Sequence, residues 1–190
     1  ALPAPGLDPV LAFGGDHYFV AAGGLDPLRG TRVTPGGEVL DPAGVAVSVA
    51  ANNQSGVDLA FDGSNSFAVW SDDRTEGDGP GLYGARVGPD GQILDGAGFR
   101  IAATVGANRP TDAAVAFDGT NFLVVWEDIG AIFGKRVSPA GDVLDDDRRV
   151  AGVEVGSDPF GHGPFDSFST FPSSNGASAD ESRNGRGPFH

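Results

Sequence analysis

The chain has 190 residues, of which 39% are hydrophobic and 20% charged, a composition that supports a folded domain with its own core. Its formal net charge of -14 would repel phosphate backbones and anionic lipid, so no nucleic-acid partner is expected. Cysteine is absent, which excludes disulfides, thiolate nucleophiles and cysteine metal sites. No apolar run approaches the ~20 residues of a membrane-spanning helix. The chain begins at Ala1 rather than at methionine, which favours signal-peptide cleavage and predicts a secreted, extracellular or cell-surface location.

A first sequence block occurs three times along the chain. Each copy starts with Ala-Phe, passes through a glycine-containing turn and enters an apolar run. The clearest copy reads Ala-Phe-Asp-Gly-Thr-Asn-Phe-Leu-Val-Val-Trp-Glu-Asp at residues 116–128, and the others occupy residues 12–20 and 60–72. Self-similarity at a spacing of roughly 50 residues is the sequence signature of a repeat architecture.

A second block follows each copy of the first, at residues 30–41, 84–95 and 134–145. Its shared pattern is Gly-x-Arg-Val-x-Pro-x-Gly-x-Val/Ile-Leu-Asp. The two linked blocks predict a three-repeat β domain over residues 1–150, with repeats at about 10–58, 59–114 and 115–150. The Gly/Ser/Phe-rich residues 151–190 then form a C-terminal extension.

Four short strands are predicted in each repeat. The first ends at Ala-Phe, and a turn such as Asp-Gly-Thr-Asn reverses the chain. The second strand is apolar without alternation, so it must be covered on both faces. The third strand carries Gly-x-Arg-Val, and a Pro-x-Gly turn leads to a fourth strand carrying Val/Ile-Leu. The prediction is an all-β fold of three four-stranded antiparallel repeats that resemble β-propeller blades.

The two blocks together resemble the β-propeller-like repeats of large secreted and surface proteins of myxobacteria and related environmental bacteria. The resemblance covers about residues 10–150 and implies a propeller-like architecture, with no established catalytic residues to carry over. The first copy departs from the pattern, because Ala22 stands in place of the tryptophan and Gly24 in place of the aspartate.

Three blades are too few for a closed propeller, which typically has ~4 to 8. The repeats are therefore expected either to remain an open array or to be completed by oligomerisation. The extension is expected to dock on its own or on a neighbouring subunit. Its candidate assembly residues are Phe160, Phe165, Phe168 and Phe171.

Recurring arginines and tryptophans are the candidate binding residues. Arg32, Arg86 and Arg136 occupy one strand position, and each is expected to form an ion pair with the aspartate nine residues later; a ligand-binding ring of arginines is the alternative. Trp70 and Trp126 end apolar strands, so core packing is expected, and stacking on a sugar is the alternative.

Acidic side chains are the candidate metal ligands. The loop after the second copy of the first block carries four of them, Asp72, Asp73, Glu76 and Asp78. Oxygen ligands in a flexible loop suit calcium, although no EF-hand pattern occurs and a solvated acidic loop explains the same composition. No other cofactor is expected.

No catalytic residues are predicted, since the chain has no nucleophile elbow, phosphate loop or nucleotide-binding fingerprint. The leading functional hypothesis is a non-enzymatic, extracellular structural protein that assembles with itself as a surface, matrix or filament subunit. A carbohydrate-binding or adhesion module is the alternative, with carbohydrate as a possible partner. A secreted glycan hydrolase is the remote alternative.

Overall fold

The computed structural model describes residues 8–23, 27–104, 110–128 and 130–146, and the backbone of 148–152. These residues form twelve strands, and none of them forms a helix able to cross a membrane. The strands are β1 Pro9–Phe13, β2 Tyr18–Ala22, β3 Arg29–Val33, β4 Val45–Ala46, β5 Gln54–Phe61, β6 Ser66–Asp72, β7 Gly81–Val87, β8 Phe99–Ala103, β9 Thr111–Phe117, β10 Phe122–Asp128, β11 Ala131–Val137 and β12 Arg148–Gly152.

Three antiparallel sheets correspond to the three repeats. Strands β1 to β4, β5 to β8 and β9 to β12 each pair in chain order, which confirms the predicted fold class of three four-stranded antiparallel units. The second and third sheets begin at Gln54 and Thr111, upstream of the predicted starts at 59 and 115, because their first strands extend back from the Ala-Phe pair. Phe160, Phe165, Phe168 and Phe171 lie outside the described residues.

The turn between the first two strands of a repeat is held by its aspartate. The Oδ1 atom of Asp118 accepts hydrogen bonds from the backbone N–H groups of Thr120 and Asn121 at 2.7 and 2.8 Å. Asp62 makes the same two contacts in the second sheet, at 2.7 Å each. Gly119 adopts φ +94°, a conformation that favours glycine. These contacts confirm the predicted turn chemistry.

The second strand of the middle sheet is covered on both faces. All seven residues of β6 are buried. Ala68 and Trp70 pack in a core shared with the first sheet, whereas Phe67 and Val69 pack in a core shared with the third sheet. The unbroken apolar run therefore reflects a strand between two neighbouring sheets, as predicted.

The predicted position of the fourth strand is wrong. Val39, Ile93 and Val143 each make only a single bridge, back to the last residue of the third strand. The aspartate that follows starts a further turn, closed in the second repeat by Gly98 N–H donating to Asp95 O at 2.9 Å. The fourth strand forms only after this turn, as β4, β8 and β12.

Candidate assembly faces

Each repeat contains an arginine–aspartate pair that joins the third strand to the loop after it. In the second repeat, Arg86 donates from Nε to Asp95 Oδ2 at 2.9 Å and from Nη2 to Oδ1 at 2.6 Å. Its backbone N–H donates to the same carboxylate at 2.8 Å. The Arg32–Asp41 and Arg136–Asp145 pairs repeat this arrangement. The predicted ion pairs are confirmed, and their fork geometry is the strong bidentate form.

The ion pairs shift the pKa values of their carboxyl groups. The side-chain hydrogen bond from Arg32 lowers the pKa of Asp41 and outweighs the opposing effect of burial. Burial by itself would raise the pKa of Asp95, but the hydrogen bonds from Arg86 prevail and lower it. Both carboxylates are therefore ionised well below neutral pH, and each holds its arginine side chain in one orientation.

The remaining guanidinium nitrogen of two arginines connects one sheet to the next. Arg32 Nη1 donates to the carbonyl of Pro89 at 2.9 Å, and Arg86 Nη1 donates to the carbonyl of Pro139 at 3.2 Å. These donors are occupied by protein, which contradicts a ligand-binding ring built from Arg32 and Arg86. Arg136 differs, because its Nη1 atom has no hydrogen-bond acceptor among the described residues.

Two further hydrogen bonds join the second and third sheets. The Oδ2 atom of Asp58 on β5 accepts a hydrogen bond from the backbone N–H of Val115 on β9 at 2.8 Å. On β11, Lys135 Nζ donates to the carbonyl of Ile101 in the second sheet at 2.8 Å. Polar bonds at the sheet borders thus accompany the apolar cores between sheets.

Both tryptophans lie in the core. Trp70 is fully buried and Trp126 is 2% exposed. Trp70 stacks near Tyr83 and donates from Nε1 to Asp72 Oδ2 at 2.8 Å. Burial agrees with the expected core packing and contradicts the alternative of sugar stacking, because neither ring presents a face to solvent.

The acidic loop is organised by Arg74, which is not among the residues predicted from the sequence. Asp72 accepts from Arg74 Nη2 at 2.6 Å and from its backbone N–H at 2.8 Å, and the Arg74 guanidinium lies 3.6 Å from the centre of the Tyr83 ring. Among the described residues no three metal-binding side chains gather at one point. Calcium binding by Asp72, Asp73, Glu76 and Asp78 stays a prediction, and the Asp72 carboxylate is already engaged by protein.

Among the described residues, no further sheet covers the outer face of the third sheet. Leu28, Leu82 and Ile132 hold equivalent positions, two residues before the glycine of each third strand. Leu28 and Leu82 pack in the cores that their sheets share with the following sheet. Leu28 and Leu82 are fully buried by that sheet, whereas Ile132 is 36% exposed. Leu123 and Val125 on β10 are half-buried, although their counterparts in the second sheet are buried completely.

Within the same described part of the chain, no sheet covers the outer face of the first sheet either. Leu59 on β5 faces the first sheet and is 7% exposed, whereas its counterpart Leu11 on β1 is 61% exposed. Phe13 and Val39 are exposed as well. These residues are not among the site residues predicted from the sequence. Aligning the repeats position by position would have found them, since an end repeat keeps the apolar residues that inner repeats bury.

A cleft of about 380 Å³ lies beside the Arg74 loop. It is lined by Val49, Ala51, Arg74, Thr75, Glu76 and Ala97. The arginine is engaged by Asp72, so Glu76 and Thr75 supply the polar groups available to a ligand.

Comparison with solved structures agrees with this architecture. The structure "Bacteroides ovatus Xyloglucan PUL GH43B" superposes with a TM-score of 0.54 at 13% identity, covering 80% of this chain and 32% of that one. A GH43 glycoside hydrolase engineered for endo-xylanase and exo-arabinofuranosidase activity has a TM-score of 0.49 at 15% identity, covering 76% and 28%. The chain thus spans about a third of the length of these enzymes. No protein-family model matches it, and no curated protein matches it.

GH43 enzymes are β-propellers, so the first superposition shows that the three sheets have a propeller-like fold. The class defined by the fold is therefore an all-β array of propeller blades. At this identity the likeness extends to the fold alone.

Proposed function

We propose that the chain is a non-catalytic, extracellular structural protein whose blades associate with those of another copy. The open outer faces of the first and third sheets carry this proposal. Leu11 at one end and Ile132 at the other are exposed, while their counterparts inside the array are buried. Exposed apolar surface of this kind marks interaction sites, and stacked repeats require something to cover their ends. The resemblance of the repeats to those of secreted and surface proteins supports the extracellular location.

The direct test is the molecular mass of the full chain, measured by sedimentation over a wide concentration range. We expect the wild-type mass to rise with concentration. Ile132→Asp places a charge on the outer face of the third sheet and is expected to abolish the rise.

The matched control is Leu144→Asp. Leu144 is 45% exposed in the loop between the third and fourth strands of the same repeat, and its counterpart Leu94 in the middle repeat is 43% exposed although that repeat has neighbours on both sides. This position therefore lies outside the contacts between sheets, and association should persist in the control. A wild-type chain that stays monomeric at every concentration would sink the proposal, as would equal effects of the two substitutions.

Carbohydrate binding is the second candidate function, favoured by the cleft beside Arg74. Its volume of about 380 Å³ would take a small saccharide, and Glu76 and Thr75 offer polar contacts. The fold likeness to a GH43 protein is consistent with such a role.

A glycan array with the purified chain tests this candidate. Any binding should disappear in Glu76→Gln and survive in Glu38→Gln, since Glu38 is exposed in the first repeat away from the cleft. Absence of binding to every glycan, or equal loss in both variants, would count against it.

A further inference from the structure

We propose that Arg136 of one copy binds the turn formed by residues 34–37 of a second copy, joining the chains head to tail. This inference rests on the proposed function and deepens it by naming the donor, the acceptor and the direction of assembly. Both parts follow from the way neighbouring repeats already bind each other inside the chain.

The donor is Arg136. In the first and second repeats the equivalent arginine spans two sheets: Arg32 reaches Pro89, and Arg86 reaches Pro139. Arg136 makes the same ion pair within its own repeat, but its Nη1 atom meets no acceptor in the part of the chain that the structure describes. Its side chain is 37% exposed, against 18% and 20% for the two arginines that are engaged.

The acceptor is the Pro-x-Gly turn of the first repeat. In the second repeat this turn sits on Arg32, since a Cβ atom added at Gly91 would lie 3.0 Å from Arg32 Nε. In the third repeat a Cβ atom at Gly141 would lie 3.3 Å from Arg86 Nε. In the first repeat the same atom at Gly37 would meet nothing within 4 Å.

The turn of residues 34–37 already has the conformation of the two turns that contact an arginine. Gly37 has φ +86°, matching +84° at Gly91 and +92° at Gly141. Its N–H donates to the Thr34 carbonyl at 2.9 Å, as the two other turns do between their equivalent atoms. The carbonyl of Pro35 is therefore presented without any rearrangement, which lowers the cost of binding.

The partner is a second copy, because the Arg136 donor and the acceptor turn of residues 34–37 lie in the last and first repeats of the same chain. Each of the two adjoins an open apolar face: Arg136 belongs to the sheet that exposes Ile132, and residues 34–37 belong to the sheet that exposes Leu11. One docking event would cover both faces and complete the arginine contact. The contact is heterologous, so it propagates or closes into a ring; two copies supply six blades, within the ~4 to 8 of closed propellers.

Blocking the acceptor end separately from the donor end tests the inference. Gly37→Asn keeps a residue that tolerates positive φ and fills the space of the incoming guanidinium. Gly15→Asn is the matched control, with φ +90° and nothing within 4 Å. Its counterparts Gly63 and Gly119 have equally free surroundings in sheets with neighbours, so this turn makes no contact between sheets. We expect association to be lost in Gly37→Asn and retained in Gly15→Asn, with similar unfolding midpoints.

Two further measurements test the role of Arg136 and the head-to-tail direction of assembly. Arg136→Lys keeps a positive charge facing Asp145 but replaces the three guanidinium nitrogens with one, so none remains for a second copy, and it should weaken association about tenfold to a hundredfold. Mixing Ile132→Asp, blocked at the donor end, with Gly37→Asn, blocked at the acceptor end, should yield a complex of one copy of each and nothing larger.

The outcomes separate this inference from the proposed function. If the wild type associates and Gly37→Asn associates equally well, or if the two blocked variants do not combine, the head-to-tail contact is overturned while self-association stands. Equal loss in Gly37→Asn and Gly15→Asn overturns it too. A monomeric wild type overturns both.

Discussion

Shortening Leu82 and Ile132 to alanine removes apolar groups from equivalent positions in the second and third sheets. Leu82 is fully buried, so its loss combines the transfer term with a cavity and should cost about 3 kcal/mol of unfolding free energy. Ile132 is 36% exposed. Water can fill the gap that it leaves, and at ~0.8 kcal/mol for each buried methylene the cost should be only about 1.5 kcal/mol.

Denaturant unfolding of both variants at low and high protein concentration measures these costs. In dilute solution the Leu82→Ala variant should be the less stable of the two. At high concentration the cost of Ile132→Ala should increase, since association buries the face that carries it, whereas the cost of Leu82→Ala should stay constant. Equal costs in dilute solution would refute the assignment of Ile132 to an open face, and a concentration-independent cost would refute its burial by a partner.

Three other experiments test contacts within and between the sheets. Asp72→Asn should destabilise the chain by about 3 kcal/mol in denaturant unfolding, because it leaves a buried arginine without its counter-charge. The pKa of the Asp95 carboxyl group is lowered in the folded state. The ionised carboxylate therefore stabilises the fold above the ordinary pKa of about 3.9, and this stabilisation is lost as the pH falls through the lower folded-state pKa. In Asp95→Asn, this acid-induced loss of unfolding free energy should be smaller. In the proposed contact, β1 of one copy meets β9 of another copy in the way that β9 meets β5 within the chain. A Leu11→Cys chain mixed with an Ala114→Cys chain under oxidising conditions should therefore form a disulfide between the two copies. Failure to cross-link while the wild type associates would contradict this pairing.

The sequence predicts the blade architecture because its signals are local and repeated. The aspartate turn, the doubly apolar second strand and the arginine–aspartate pair are each determined by residues close together in the chain. Asp62 and Asp118 hold their turns as expected, and Arg86 meets Asp95 nine residues later. Such short-range contacts can be inferred from residue type and spacing alone.

The fourth strand was misplaced because its position is not encoded by an apolar dipeptide. Val39 and Leu40 have the composition of a strand, but Val39 makes only a single bridge to the third strand, and a turn begins at Asp41. The strand that follows is only Val45–Ala46 in the first repeat, too short to produce a periodic signal.

An open array is among the expectations from the sequence, but the residues on its open faces could not be predicted, for a different reason. Leu11 and Leu59 have the same residue type at the same place in their repeats, yet one is exposed and the other buried. The difference lies in whether another sheet precedes them, which is a property of the assembled array rather than of local sequence. Arg74 was missed similarly, since its role depends on meeting Tyr83 across the sheet.

The arginine contacts between sheets affect how such a chain can change in length. Arg32 and Arg86 each recognise a backbone carbonyl and a glycine, so the contact depends on the shape of the next turn and not on side chains particular to one repeat. Each repeat carries its own arginine and its own turn. Duplication or loss of a whole repeat therefore preserves a compatible junction, and the number of blades can change in one genetic event without further substitutions.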